Sequence, residues 1–414
     1  MLKIIKIAAR NLRRYKRRTI LTSSLVTFGV LSVLLFVSVS GSFKNMMIGQ
    51  ITDAMLGHLQ IHQKGYLASI DSLPLNRMLN DKQVRKATEL LDGIHEVEAY
   101  SPRIRLGAMF SNFTETTNIR LNAVYPEQEL KTVPLLKERV RSKVDGGFLK
   151  QGEIVVPDLI AKAMNVSIGN EIVLVATNRD GSVNGQTFKV SGIVEGLTGP
   201  GGRDGYIHLD DARALLRMEE PEINEIAVRL RSLKRLDTTA ATIEKALTGI
   251  VNKANKPVFE VHSWEKLTPF FNIAKMIDLM TLSIKIMLVA IVLVSIMNVM
   301  VMAVYERINE IGTISAMGTS PAKILLLFLT EGLLLGTFGA LVGAAVSLIS
   351  IAGLRSAQLS FDFGQQKGLI LNPVIGWPDV LSVVLIVIAI AVIGSMQPAW
   401  KASKMDPITA LRHV

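Results

Sequence analysis

The chain of 414 residues contains no cysteine and only six histidines. The first absence excludes a disulfide framework and any thiolate metal site, so a folded domain must hold by packing alone. The second leaves little for zinc, which needs three or four converging ligands. His58 and His62 in "HLQIH" would share one strand face, but His95, His208, His262 and His413 show no ligand spacing. Phosphate cradles are missing as well: "TGPGGRDG" at 198–205 fits neither GxGxxG nor GxxxxGK(S/T) and reads as a surface loop. No Ser/His/Asp arrangement stands out, and nothing argues for catalysis. Acidic residues are absent from the first eighteen positions, which hold Lys3, Lys6, Arg10, Arg13, Arg14, Lys16, Arg17 and Arg18. These eight account for most of the formal net charge of +11, leaving +3 for the remainder. The basicity is a local tail and not a nucleic-acid surface.

Apolar residues are abundant, at 49% of the chain, and the mean hydropathy is +0.36. Four stretches, Thr19 to Phe43, Ile286 to Tyr305, Ile324 to Gly353 and Val380 to Trp400, are long enough to cross a hydrocarbon core of roughly 30 Å. Glu331 alone interrupts them. The basic start followed by an apolar run could be a secretory signal, but the run exceeds the usual length of a signal core, and an uncleaved first span is the better reading.

Eight cations before the first span place the amino terminus in the cytoplasm. Counting spans then gives a cytoplasmic amino-terminal helix (1–18), transmembrane helix 1 (19–43), an external domain (44–275) and transmembrane helix 2 with a stalk (276–305). A cytoplasmic segment (306–320), transmembrane helix 3 (321–353), an external loop (354–378), transmembrane helix 4 (379–400) and a cytoplasmic tail (401–414) complete the chain. At 100° per residue Lys3, Lys6, Arg10, Arg13, Arg14 and Arg17 share one arc, with Ile5, Ala8, Leu12 and Tyr15 opposite. That pattern suits a helix in the headgroup layer, attracted by anionic lipid.

The external stretch can bury a core of its own. "GHLQIH", "RIRLGAMF", "TNIRLNAVY", "EIVLVAT", "TFKVSGIVE" and "EIAVRLRS" read as strands, whereas "DLIAKAMN", "DDARALLRM" and "LDTTAATIEKALTGIV" read as helices, some with Asp at the N-cap. This is an α+β domain, with an inserted lobe expected near 96–221.

Span three carries Gly332, Gly336, Gly339 and Gly343, whose GxxxG spacings let backbones approach, within one subunit or between two. Glu331, an ionisable group inside a span, belongs at a helix contact or polar cavity. Lys285 can snorkel to the interface. The polar segment between spans two and three, "YERINEIGTISAMGTSPAKI", is shaped: as a helix it sets Ile308, Ile311, Ile314 and Ser315 on one flank and Glu306, Glu310 and Thr313 on another. Gly318 suits a left-handed C′ position, and Ser320 and Pro321 the N-cap and first turn of the next helix.

"EIGTISAMGTS" (310–320) resembles the cytoplasmic EIG stretch of the FtsX-like permease family of ABC transporters, which includes the MacB-type and lipoprotein-releasing LolC/LolE-type subunits. "PAWKASKMDPITAL" (398–411) is similar to that family's closing motif, and "GEIVVPDLIAKAMNVSIGNEIVLV" (152–175) to its external domain. Ser315 departs from the basic residue often found there.

The resemblance implies a membrane protein with four transmembrane helices and a large α+β extracytoplasmic domain, the MacB-type periplasmic core, between helices 1 and 2. It implies a non-catalytic subunit of the bacterial inner membrane that binds no cofactor itself. ATP and Mg would be held by a cytoplasmic ABC ATPase present in two copies. The subunit would pair as a homodimer or with a sister permease, and its external domain would extract or export a lipoprotein or other amphiphile. A transducer that activates a cell-wall hydrolase is the alternative, and a membrane-anchored enzyme is disfavoured for want of a site. In this picture the segment 306–320 couples to the ATPase through Glu306, Ile308, Glu310, Ile311, Gly312, Ile314, Ala316 and Gly318. The isoleucine flank would anchor it in a cleft and Glu310 would orient it.

Overall fold

The computed structural model describes residues 2–142, 148–195, 200–252, 254–363, 366–407 and 410. Met1–Asn45, Lys275–Ser360 and Ile370–Val414 form one compact unit, and Met46–Ala274 with Phe361–Leu369 another. The helices, in chain order, begin with α1 (Leu2–Arg14) and α2 (Lys16–Ile51). Next come α3 (Asp81–Asp92), α4 (Pro126–Thr132), α5 (Leu135–Arg139), α6 (Asp158–Ala163), α7 (Leu209–Leu215), α8 (Leu236–Thr248) and α9 (Trp264–Leu267). The last four are α10 (Phe270–Glu306), α11 (Ile308–Ala316), α12 (Pro321–Ser356) and α13 (Trp377–Ser403). Four of these, the helices of α2, α10, α12 and α13, are long and apolar enough to cross a membrane.

In the helical unit α12 is central, because its glycines admit two neighbours. A Cβ at Gly332 would lie 1.8 Å from Ser395 Oγ and one at Gly336 2.3 Å from Ala391 Cβ, so these two face α13. Gly339 and Gly343 face α2 instead, where the same atom would lie 2.7 Å from Val26 Cβ and from Val30 Cβ. Close approach also permits Thr27 Oγ1 to donate to the Gly339 carbonyl at 3.2 Å. Both glycine pairs therefore make contacts within a single chain. Gly29 meets Val292 of α10 in the same way, at 2.4 Å from a built Cβ. Around these seams Val26, Val30, Val292, Ile296, Phe328, Leu335 and Val387 form one buried apolar cluster.

The other unit is built on ten strands: β1 (Leu59–Gln63), β2 (Val97–Ser111), β3 (Thr116–Val124), β4 (Val140–Ser142), β5 (Glu153–Pro157), β6 (Glu171–Thr177), β7 (Val183–Val194), β8 (Asp204–His208), β9 (Glu225–Leu230) and β10 (Phe259–Ser263). They form one sheet in the order β10-β1-β9-β2-β3-β8-β5-β7-β4, with β6 paired to β2 and β7. β3 with β8 and β5 with β7 run parallel. β2 alternates cleanly, with Ile104, Leu106, Ala108 and Phe110 buried at every second position. This strand also joins the two halves of the sheet: from Val97 to Arg103 it pairs with β9, from Arg103 to Ser111 with β3, and from Met109 to Ser111 also with β6. The segment expected as an inserted lobe, 96–221, thus shares a continuous sheet with the strands on either side of it. The helix starts expected at Asp differ: Asp158 and Asp210 each lie within the first turn, behind Pro157 and His208 as the caps. A full capping box occurs instead at Asn80 and Gln83 of α3. A further hairpin, β11 (Ser360–Phe363) and β12 (Gln366–Ile370), occupies the stretch read as a plain loop. The first residues of the glycine-rich stretch at 198–205 lie outside the described residues.

Charges are buried under this sheet. Arg103, 2% exposed, forms a two-pronged pair with the fully buried Glu129 at 2.9 and 2.8 Å and reaches Glu225 at 2.7 Å. Burial would raise the Glu225 carboxyl, but His62, Arg103 and Arg105 beside it overcome that and hold it below the usual range. The two histidines that share the β1 reading separate in role: His58 Nδ1 accepts from the Leu230 amide at 2.9 Å, whereas His62 stacks on Tyr66 at 4.7 Å. Among the described residues no group of three His, Asp or Glu converges as metal ligands would.

Burial lowers His262 of β10 below its ordinary value, against the pull of Glu260. An imidazole depressed on folding stabilises the fold above about pH 6.5, its unfolded value, and that contribution disappears as pH falls through the folded value. Amide exchange at β1 and β10 in the detergent-purified chain, corrected for intrinsic rates, should therefore accelerate as pH falls below about 6.5. His262→Gln should flatten that dependence, and an unchanged slope in the variant would assign it to another group.

Candidate coupling site

The segment between α10 and α12 departs from helicity at only one residue before it turns. Arg307, with φ −114° and ψ 20°, ends α10, and α11 begins at Ile308. Glu306 accordingly closes α10, and does not belong to the short helix as the sequence suggested; it pairs with Arg18 at 3.1 Å. At the far end Gly318, φ +86°, closes α11: its amide bonds to the Ser315 carbonyl at 3.0 Å and that of Thr319 to Ile314 at 3.3 Å. This double bond pattern is a Schellman cap. No atom lies within 4 Å of a built Cβ at Gly318, so the requirement there is for backbone conformation and not for space. Pro321 fills the first turn of α12, and Ser320 stands at the N-cap position without a side-chain hydrogen bond.

Beneath α11 lies a buried polar cluster. Glu331, 1% exposed, receives Arg307 Nη1 at 2.9 and 3.2 Å and Asn11 Nδ2 at 2.8 Å. Arg307 is itself 4% exposed and donates from Nε to Glu310 at 3.1 Å. Its guanidinium lies 5.5 Å from the Phe328 ring centroid and 5.9 Å from that of Tyr15. Glu310 also faces Arg14 Nη1 and the Tyr15 hydroxyl, each at 3.5 Å. A carboxylate that would be costly in an apolar span is thus compensated by Asn11 of α1 and by Arg307, the residue between α10 and α11.

This cluster changes the reading of α11. Ile311 is 4% exposed and Gly312 is buried; Ile311 packs in the same apolar cluster as Ile324 and Phe328. It cannot anchor a partner, because the helix uses that flank to sit on its own bundle. Glu310, expected to orient a partner, is engaged by three groups of its own chain. Ile308 and Ile314 are half-buried, while Asn309, Thr313, Ala316, Met317 and Gly318 are exposed. Met317, 73% exposed, is the most prominent apolar side chain on the outward face. The amino-terminal helix also differs from expectation: Ala8, Leu12 and Tyr15 of its apolar stripe turn to the protein, Ala8 being fully buried, and α1 packs on α12. Asn11 and Arg307 had not been singled out, although a lone carboxylate in an apolar run demands a donor and Arg307 is the only cation between Lys285 and Lys323.

Residues 19–246, more than half the chain, match the family of the MacB-like periplasmic core domain, and residues 282–407 the FtsX-like permease C-terminal family. The chain belongs to this permease family of ABC transporters. The lipoprotein-releasing system transmembrane protein LolC of Neisseria meningitidis is 22% identical over 98% of both chains. An ABC transporter permease of Bacillus subtilis, YknZ, is 24% identical over 100% of this permease and 99% of its own length. The macrolide export ATP-binding/permease protein MacB of Bdellovibrio bacteriovorus is 25% identical over 56% of this permease and 35% of that longer chain. The permease is a membrane protein with a large α+β domain of the MacB periplasmic-core type, and permeases of this family work with an ATPase partner. Of the closing motif at 398–411, residues 408, 409 and 411 lie outside the described residues.

Proposed function

We propose that this permease transmits the stroke of a separate cytoplasmic ATPase to its extracytoplasmic domain, and so extracts or expels a lipoprotein or similar amphiphile from the outer leaflet of the inner membrane. The observation that carries the reading is the construction of α11: a nine-residue helix, capped by a left-handed glycine and pinned through Arg307 to Glu331, with one face outward. A helix joined without slack to both α10 and α12 moves them when it is moved. The full-length similarity to LolC supports a lipoprotein as cargo. Two such subunits, alike or sister, would pair, with ATP and Mg bound on the ATPase.

The docking face in this reading is Asn309, Thr313, Ala316 and Met317, and not the isoleucine flank. Met317→Asp should leave the chain inserted and folded, since the side chain is exposed, yet reduce ATPase copurification and coupled release of a lipoprotein from proteoliposomes several-fold. Normal copurification and release would move the docking face elsewhere. The orientation is tested by single cysteines at Ser232 and Ser320, both exposed. The first should react with an impermeant maleimide added outside cells and the second should not; labelling of Ser320 from outside would invert the topology.

A further inference from the structure

We propose that the basic face of α1 binds anionic phospholipid headgroups, and that lipid held there maintains the Asn11 contact to Glu331 and with it the coupling activity of α11. This rests on the reading of α11 as the coupling element. Lys6, Arg10, Arg13 and Arg17 are exposed, and among the described residues none has a carboxylate within 4.0 Å. Within α1, at about 100° per residue, Lys6, Arg10 and Arg13 fall on one narrow arc, with Ile5 (45% exposed) and Ile7 (41%) on either side of it, and Arg17 follows in the first turn of α2. A helix surface with a cationic centre and apolar shoulders matches the boundary between headgroups and acyl chains.

The depth of α1 is fixed by its contacts. Val26 faces Gly339 and Asn11 bonds to Glu331. The step from Asn11 to Val26 would rise about 22 Å along a straight helix, but the matching step from Glu331 to Gly339 rises only about 12 Å. The amino-terminal helix therefore leaves the axis of α2 and crosses the bundle at the level of Glu331, within the apolar run that begins at Ile324. Cations at that level meet phosphates before they meet bulk water. Among the described residues its polar ties to the other helices are Asn11 to Glu331 at 2.8 Å, the Leu12 carbonyl accepting from Thr19 Oγ1 at 2.8 Å, and Arg14, 70% exposed, at 3.5 Å from Glu310. The face opposite these contacts is the exposed cationic one, so what lies against it bears on how α1 sits.

The test uses the permease with its ATPase in nanodiscs of phosphatidylglycerol-rich or pure phosphatidylcholine composition. The coupled ATPase rate should be about threefold higher with phosphatidylglycerol, a difference close to half of a tenfold change on a logarithmic scale. Replacement of Lys6, Arg10, Arg13 and Arg17 by Gln together should abolish that response, and the variant purified alone should retain less phosphatidylglycerol by native mass spectrometry. Equal rates in the two lipids, or an undiminished response in the variant, would overturn the proposal. Inorganic phosphate reproducing the effect in phosphatidylcholine discs would also overturn it, by assigning the surface to free anions. Lipid retention reads binding without the ATPase, so if Met317→Asp leaves coupling intact while retention still depends on the four cations, the coupling reading fails and the lipid surface stands.

Discussion

Arg307→Leu should destabilise the helical unit by about 3–5 kcal/mol, because it strands the Glu331 carboxylate in a buried site with Asn11 as its one remaining donor among the described residues. Glu331→Leu should cost a similar amount by stranding the guanidinium, and Glu331→Gln less, since Gln keeps size and hydrogen bonds. The informative variant is the double change Arg307→Leu with Glu331→Leu. Two leucines of comparable volume can fill the site without any charge to desolvate, so most of the lost stability should return. Coupled ATPase activity should stay low even so, because the tie from α12 to the residue between α10 and α11 is gone. Thermal unfolding in detergent reads the first quantity and substrate-dependent ATPase the second. Recovery of both would reduce the cluster to a packing device without a part in transmission.

Gly336→Leu should abolish assembly of the bundle, whereas Gly353→Leu on the same helix should be tolerated. The contrast is geometric. At Gly336 the first added carbon already lies 2.3 Å from Ala391 Cβ, so α12 and α13 must separate, and the seam of Gly332, Ser395 and Ala391 opens with them. At Gly353 nothing lies within 4 Å. Loss of monodisperse protein for the first substitution and its retention for the second is the expected outcome. Equal yields would mean that α12 and α13 do not pack as described.

Much of the architecture was legible because the bilayer imposes a length and a polarity on whatever crosses it: four apolar runs, a basic start and GxxxG spacings are local signals. Most of the external strands were visible for a similar reason, since period-two alternation in a stretch such as 104–110 of β2 is a property of neighbours in sequence. What stayed hidden depends on distant partners. The isoleucine flank of α11 looked like a surface for another protein, and nothing within nine residues could reveal that Phe328 and Ile324 already occupy it. Glu331 announced a partner without naming it, because Asn11 lies 320 positions away. The apolar stripe of α1 was read as lipid-facing for the same reason: amphipathicity states that a face must be covered, and only tertiary structure states by what.

The sheet of the external domain has a consequence for the ribosome. Ile61 of β1 pairs with Val261 of β10, and Leu59 with Val228 of β9. With synthesis at about 5–20 residues per second, β1 emerges roughly 10–40 seconds before its outer partner exists. For most of that interval, until β9 is made, Leu59 and Ile61 have no strand to pair with, and the rest of the sheet can assemble only from β2 onward. High contact order of this kind slows folding and prolongs exposure of an unpaired strand. The first strand of this domain to leave the ribosome is thus the last to be satisfied, which makes it the place where holdase chaperones have most to protect.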